Sequence, residues 1–158
     1  MVQQKAEMQT NPVDETIQVG EVRLRFLITG AESNESATIF ELTVPAGVKL
    51  PAPAHSHDAF EETLYGLEGI ITWTVNNVSI DVGPGQALCI PRGAIHEFAN
   101  NGTVDAKALS ILSPAVIGPA FFREMGAAAS AAAGGLPDRA KMAEIMRRYG
   151  LTPISPAS

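Results

Sequence analysis

Short stretches of the chain alternate between apolar and polar positions from about residue 17 to residue 113. Apolar side chains occupy every second position in 21–28, the pattern recurs in 37–44, and 64–75 is rich in β-branched and aromatic residues. A period of two is typical of strands that bury one face, and Asn, Gly and Pro favour turns. The pattern therefore predicts an all-β sandwich or small barrel. Turn residues separate the apolar segments at 76–77, 83–85, 91–93 and 100–102.

The composition changes after Pro114, where Ala, Met, Arg and Glu become frequent. These residues favour helices, and Pro137 with Asp138 suits a helix start, while Gly150 suits its end. The low-complexity stretch 127–135 is expected to be a flexible joint between two helices. An apolar stripe at helical spacing predicts packing on the barrel or on a partner subunit, rather than a cofactor site. The stripe consists of Met142, Ile145, Met146 and Tyr149.

Three segments follow from these patterns. Residues 1–16 form a polar N-terminal tail, 17–113 the β-barrel and 114–158 a C-terminal helical extension. A length of 158 residues, with 46% hydrophobic and 18% charged, is typical of one globular domain. The predicted N-terminal strands, 17–19 and 21–28, are expected to pair across a subunit boundary in a homodimer, because a sheet edge needs covering.

The charge balance and the single cysteine exclude several classes of protein. Eleven basic against 17 acidic residues give a net charge of −6, and the absence of a basic cluster argues against a nucleic-acid partner. No apolar run reaches the roughly 18 residues of a membrane span, and the tail lacks the apolar core of a secretory signal. One cysteine, Cys89, rules out an intramolecular disulfide and indicates a cytoplasmic protein. Cys89 lies in an apolar run and is expected to be buried.

The three histidines fall in two segments, each at a predicted junction of turn and strand. His55 and His57 are two residues apart, so in an extended chain their imidazoles lie on one face, and His96 follows the turn at 91–93. Imidazole is a ligand for Zn, Fe, Cu and Ni, although such a pair alone is often only a surface feature. A carboxylate would complete a metal site, and alternation from His57 favours Glu61 over its neighbour Glu62.

Two motifs in these segments resemble the signature motifs of the cupin superfamily. The first, H-x-H-x4-E-x6-G, places His55, His57, Glu62 and Gly69 in register. The second, G-x5-P-x-G-x2-H-x3-N, is filled by Gly85, Pro91, Gly93, His96 and Asn100. The sequence departs from the family before the first motif, where the usual glycine, here Gly47, stands two residues further away.

The resemblance implies a cupin jelly-roll barrel that holds one divalent transition metal (Fe, Mn, Ni, Cu or Zn) through His55, His57, Glu62 and His96. It selects Glu62 as a metal ligand and catalytic base, and leaves Glu61 outside the ligand set. This choice requires the chain to bend between Asp58 and Glu61. Apolar side chains are expected to line a cavity for a small-molecule substrate. The candidates are Phe40, Phe60, Trp73, Leu88 and Phe98.

The sequence also resembles small bacterial cupins of the quercetin-dioxygenase-like type, which carry a similar alanine-rich helical tail. This implies a dioxygenase-type oxidoreductase in which the metal acts as a Lewis acid toward an enol or catechol-type oxygen. Two alternatives share the same site. One is a metal-dependent isomerase or lyase, and the other is a cupin that binds a metal or a small molecule without catalysis.

Overall fold

The computed structural model describes residue 8, residues 10–131 and residues 136–155. Strands account for 42% and helices for 18%, so the fold is mostly β, as predicted. The elements in chain order are β1 Glu15–Val19, β2 Val22–Ile28, α1 Gly30–Ser33, β3 Thr38–Val44, β4 His55–His57, β5 Glu61–Glu68, β6 Ile71–Val75, β7 Val78–Val82, β8 Ala87–Ile90, β9 His96–Ala99, β10 Ala106–Ser113, α2 Pro119–Ser130, α3 Arg139–Arg148 and β11 Leu151–Pro153.

Two antiparallel sheets form the jelly-roll barrel. One has the order β1-β2-β3-β10-β5-β8, and the other has the order β11-β4-β9-β6-β7. Strand β3 shows why these segments are strands: Phe40, Leu42 and Val44 point into the core, and the residues between them are only half-buried. The largest fully buried side chains include Trp73 and Phe26, so the core lies between the two sheets. The fold is that of a cupin barrel with a C-terminal helical part.

The turns follow the residues that the sequence places there. Asn76 and Asn77 link β6 to β7 with φ values of 46° and 66°, the left-handed backbone that a two-residue hairpin turn requires. Gly69, the last residue of the first motif, has φ of 60°, and a Cβ there would lie 2.7 Å from the Asp105 carbonyl oxygen. The motif glycine is therefore required both by its backbone conformation and by the close approach of another strand.

The residues after Pro114 contain two helices and also a strand. The side chain of Asp138 caps α3 by accepting a hydrogen bond of 3.0 Å from the Lys141 amide, and the predicted apolar stripe buries Met142, Ile145 and Met146. Strand β11 then pairs with β4, so the end of the described chain belongs to the second sheet. Of the predicted joint, residues 127–130 belong to α2, and 132–135 lie outside the described residues.

One expectation for the strands, the burial of Cys89, differs from the structure. Cys89 is exposed rather than buried, because Leu88 and Ile90 on either side of it in β8 are the residues that face inward. Strand β2 pairs with β1 on one side and with β3 on the other, so its two edges are occupied within the chain.

Within the described residues, no helix is both long and apolar enough to cross a bilayer.

Candidate metal centre

The barrel brings the three histidines together. Strand β4 carries His55 and His57 on one face, and His55 pairs directly with His96 of the neighbouring strand β9. All three side chains are buried, and one ring nitrogen from each lies within 4.8 Å of the others. Residues 41 positions apart in the sequence thus form one cluster because their two strands are adjacent in the second sheet.

Backbone carbonyls fix the orientation of two of the imidazoles. The Nδ1 of His55 lies 2.9 Å from the Pro53 carbonyl oxygen, and the Nδ1 of His96 lies 3.0 Å from that of Ala94. Since a carbonyl oxygen only accepts, each Nδ1 carries a proton, so Nε2 is the ring nitrogen left to bind a metal. The Nε2 atoms of His55 and His57 are 3.1 Å apart. His55 and His96 therefore both direct Nε2 toward the cluster.

Glu62 joins this cluster, and Glu61 does not. The chain bends at Asp58 and Ala59 before β5 begins at Glu61. After the bend, Glu61 faces outward and accepts a 2.8 Å hydrogen bond from Arg92, whereas Glu62 is buried. The bend required by the motif register is present. One carboxylate oxygen of Glu62, Oε2, lies 3.6 Å from the Nε2 of His96 and 3.7 Å from the Nδ1 of His57.

Hydrogen bonds from the C-terminal strand hold this bend. Asp58 accepts a hydrogen bond of 2.9 Å from the Ser56 hydroxyl at one oxygen and one of 2.6 Å from the Thr152 hydroxyl at the other. Thr152 belongs to β11, so the extension helps to determine which glutamate points inward. The Gly93 amide also donates to the His57 carbonyl oxygen at 2.9 Å, which joins the two motifs.

Burial and charge set the protonation of the cluster. Burial lowers the pKa of His55 to about 4 and that of His57 to about 3, so both are neutral at pH 7. Burial alone would raise the pKa of Glu62, but the neighbouring imidazoles of His96 and His57 lower it to about 2. The Glu62 carboxylate raises the pKa of His96 against the opposing effect of burial. His55 and His57 are thus neutral beside one carboxylate, whereas Glu62 favours the protonated form of His96, which must release a proton before it can bind a metal.

A residue that the motifs do not include holds the glutamate. Ser110, on β10, donates a hydrogen bond of 2.8 Å to Oε1 of Glu62, and its side chain is fully buried. The alternation of β10 could have indicated this residue. Ser110 is the one polar side chain on the inward face of the strand, which it shares with Ala106, Ala108 and Leu112. A polar residue at an inward position needs a buried partner.

The geometry of the cluster fits a divalent metal. Two ligand atoms that are each about 2.1 Å from one ion and at right angles are about 3 Å apart. The 3.1 Å between the Nε2 atoms of His55 and His57 and the 3.6 Å between Oε2 of Glu62 and Nε2 of His96 are close to this value. The Nδ1 of His57 is buried without a hydrogen-bond partner, an unsatisfied polar atom of the kind found at functional sites. Three imidazoles and one carboxylate suit Fe, Mn, Ni, Cu or Zn.

The cluster opens into an apolar cavity of about 80 Å³. Phe40, Trp73 and Phe98 line it as predicted, but Phe60 and Leu88 do not. Phe60 instead stacks on His57, with ring centroids 4.3 Å apart and an interplanar angle of 23°, and so fixes the ring plane of that histidine. Sequence reasoning missed the lining residues of the extension, because their contacts with the barrel are long-range. They are Ile117, Phe121, Phe122, Met125, Met146 and Leu151.

Fold and site together define a jelly-roll barrel with a histidine-rich centre that could bind a metal. Residues 40–112 match the family described as the cupin domain, so this part of the chain is a cupin domain, and the resemblance drawn from the two motifs is confirmed.

One curated relative is quercetin 2,3-dioxygenase from Bacillus subtilis (strain 168), which is 32% identical over 72 residues. The match covers 46% of this chain but only 21% of that enzyme, so the chain spans about a fifth of its length.

Solved structures with the same fold have different activities. The polyketide cyclase RemF from Streptomyces resistomycificus has a TM-score of 0.56 at 24% identity, covering 68% of this chain and 78% of that one. A predicted oxalate decarboxylase from Thermotoga maritima has a TM-score of 0.56 at 22% identity, covering 72% and 99%. A sugar phosphate isomerase from Silicibacter pomeroyi has a TM-score of 0.51 at 19% identity, covering 58% and 59%. These likenesses support the fold and do not select an activity.

Proposed function

We propose that this protein is a metal-dependent, dioxygenase-type oxidoreductase that acts on a small organic substrate. One observation carries the proposal: His55, His57, His96 and Glu62 converge at the end of an apolar cavity, with separations that suit the ligands of one divalent ion. The match to quercetin 2,3-dioxygenase, at 32% identity over 72 residues, supports the choice of oxygen chemistry.

The chain assigns a role to each residue of the centre. The three imidazoles and Oε2 of Glu62 are the proposed ligands. When bound, a divalent metal would supply Lewis acidity toward a substrate oxygen and a site for reaction with O₂. Ser110 holds Oε1 of Glu62, so the carboxylate cannot rotate freely away from the cluster.

Glu62 is also the proposed proton acceptor for the substrate. Its pKa of about 2 means that it is ionised at neutral pH and is a weak base. It therefore suits a substrate hydroxyl that is already acidic, such as an enol, and Oε2 would accept that proton only on dissociating from the metal. The apolar walls exclude water, which protects reactive species from hydrolysis.

Elemental analysis of protein purified without chelator is the first test, and we expect about one divalent transition metal per chain. His55→Ala and His96→Ala should lose the metal. Glu62→Gln should weaken binding, and Glu61→Gln is its matched control, because Glu61 is a neighbouring carboxylate that faces outward. Equal metal content in the parent and the histidine variants would contradict the site.

Oxygen uptake with a panel of enols, diketones, thiols and flavonols then tests the reaction. The proposal expects O₂ consumption that depends on both the metal and the substrate. Turnover under strict anaerobiosis would refute it and support an isomerase or lyase at the same centre.

We also propose a homodimer. Strand β1 lies at an edge of its sheet, and the outer face of β5 exposes Tyr65 and Leu67, which are 45% and 37% accessible. Exposed apolar side chains on a sheet face are typical of subunit contacts. Light scattering coupled to size exclusion should give twice the chain mass, and a monomeric mass would contradict the proposal.

A further inference from the structure

We propose that the substrate is a compact molecule, no larger than a single six-membered ring, with one metal-binding head and an uncharged, apolar body. We also propose that Phe122 of the C-terminal extension sets this size limit. The inference rests on the proposed function, since the metal at the histidine cluster holds the head.

The polarity of the cavity wall supports the proposal that the body of the substrate is uncharged and apolar. Among the described residues that line the cavity, the ionisable side chains are the three histidines and Glu62. The remaining lining side chains are apolar apart from the indole of Trp73, whose Nε1 is itself buried. A charged or hydroxyl-rich body would lose its hydration without gaining partners here. This wall does not suit sugars, amino acids or dicarboxylates.

The volume of the cavity supports the proposal that the substrate is small. A cavity of about 150 Å³ holds one benzene molecule, and drug-sized ligands occupy roughly 300 Å³ or more. This cavity is about 80 Å³. A three-ring flavonol exceeds it by a wide margin, so the likeness to quercetin 2,3-dioxygenase does not extend to substrate size.

Helix α2 supplies part of the cavity wall, from outside the residues that match the cupin domain. The Phe122 ring packs against Phe40 and Phe26 of the barrel, with centroids 5.5 and 5.6 Å apart, and against Phe121 at 4.9 Å. Phe122 is only partly buried, and these three aromatic contacts restrict how far its ring can turn aside for a larger ligand.

Three contacts fix α2 and the segment before it on the barrel. The Thr38 hydroxyl, fully buried, donates a hydrogen bond of 2.8 Å to the Ile117 carbonyl oxygen. Arg123 donates to both carboxylate oxygens of Glu15 at 2.8 and 2.7 Å. Gly126 approaches β1 so closely that a Cβ would lie 2.4 Å from the Gln18 carbonyl oxygen. This part of the wall is therefore held in place, and the proposed size limit rests on it.

Hydroxamic acids test both parts, because they bind divalent metals through one shared head and differ in the body. The measurement is isothermal titration of nickel-loaded protein, after the metal content has been determined. 3,3-Dimethylbutanohydroxamic acid and trimethylglycine hydroxamate have equal numbers of heavy atoms and the same shape, but the second carries a quaternary ammonium group, which cannot bind the metal itself. We expect the first to bind at least about tenfold more tightly, because a buried unpaired charge is costly.

The size limit is tested with 2-naphthohydroxamic acid, which should bind at least about tenfold more weakly than propionohydroxamic acid in the parent. Phe122→Ala should raise the affinity for the naphthyl probe by about tenfold and change the affinity for propionohydroxamic acid by less than about threefold. Val78→Ala, which removes an exposed apolar side chain outside the cavity, is the control and should change neither. If Phe122→Ala does not fold, Phe122→Leu and Met125→Ala give the same test.

The outcomes separate this inference from the proposed function. The inference is overturned, even if O₂ is consumed, if the naphthyl probe binds as tightly as propionohydroxamic acid. It is also overturned if the ammonium probe binds as tightly as its uncharged counterpart. The expected selectivity without O₂ consumption upholds the inference and refutes the dioxygenase. A protein that binds no metal overturns both.

Discussion

Ser110 donates a 2.8 Å hydrogen bond to Oε1 of Glu62 inside the barrel, and the other oxygen of that carboxylate faces His96 and His57. The two residues come from adjacent strands, β10 and β5, in which Ser110 is paired with Leu64 and Glu62 with Leu112. A carboxylate held at one oxygen and directed at a histidine cluster with the other has the orientation that the proposed ligand role requires.

Ser110→Ala should weaken metal binding. The loss of a hydrogen bond that orients a ligand typically costs about 10- to 100-fold in affinity. Nickel titration calorimetry of the parent and the variant measures the change, and Ser79→Ala, an exposed serine on β7, is the control. An unchanged affinity in Ser110→Ala would mean that Glu62 does not need this contact or does not bind the ion.

The fold and the histidine cluster could be predicted because each depends on local patterns. Alternation determines which face of β3 or β10 is buried, and motif spacing places His55, His57 and His96. The choice between Glu61 and Glu62 needed the motif register, since alternation gave the wrong glutamate. Alternation simply does not continue through the bend at Asp58 and Ala59.

The errors and omissions have physical causes as well. Cys89 was expected to be buried because its neighbours are apolar, but in a strand only every second residue faces the core. The wall supplied by Phe122 and Met146 depends on how the extension docks on the barrel. That docking rests on contacts between distant residues, such as Arg123 with Glu15, which no local pattern contains.

Metal-free protein should lose stability as the pH falls below about 6.5. In the folded protein the pKa values of His55 and His57 are about 4 and about 3. Between pH 6.5 and these values the unfolded chain binds more protons than the folded protein, so a falling pH favours unfolding. Glu62, lowered to about 2, acts in the same direction below its ordinary value of 4.5. His96, whose pKa is raised, acts in the opposite direction and offsets part of the loss.

Urea unfolding of chelator-treated protein at pH 7.5 and pH 5 measures this difference. We expect the free energy of unfolding to be lower at pH 5 by on the order of 2 kcal/mol. His57→Gln removes one of the titrating groups and should reduce the difference. Equal or greater stability at pH 5 would contradict the neutral state assigned to His55 and His57.

Gly126→Ala should destabilise the protein by loosening α2 from β1. The added Cβ would lie 2.4 Å from the Gln18 carbonyl oxygen, and a backbone atom cannot move away cheaply. The expected loss is about 1–3 kcal/mol, despite the better helix propensity of alanine. Thermal unfolding checks this, with Gly118→Ala as control, because a Cβ at Gly118 meets nothing within 4 Å. Equal losses in the two variants would contradict the close approach.

Trp73 should report occupancy of the centre by its fluorescence. It is the only tryptophan in the sequence, it is buried, and its ring centroid lies 6.4 Å from that of His96. Cu²⁺ and Ni²⁺ quench a nearby indole because their partly filled d shells accept its excitation at short range, whereas Zn²⁺ has a filled shell and does not.

Titration with Cu²⁺ or Ni²⁺ should therefore quench the emission to saturation at about one equivalent per chain. Zn²⁺ should leave the emission nearly unchanged and should block later quenching by Ni²⁺. His96→Ala should abolish saturable quenching. Persistent saturable quenching in that variant would put the metal outside the histidine cluster.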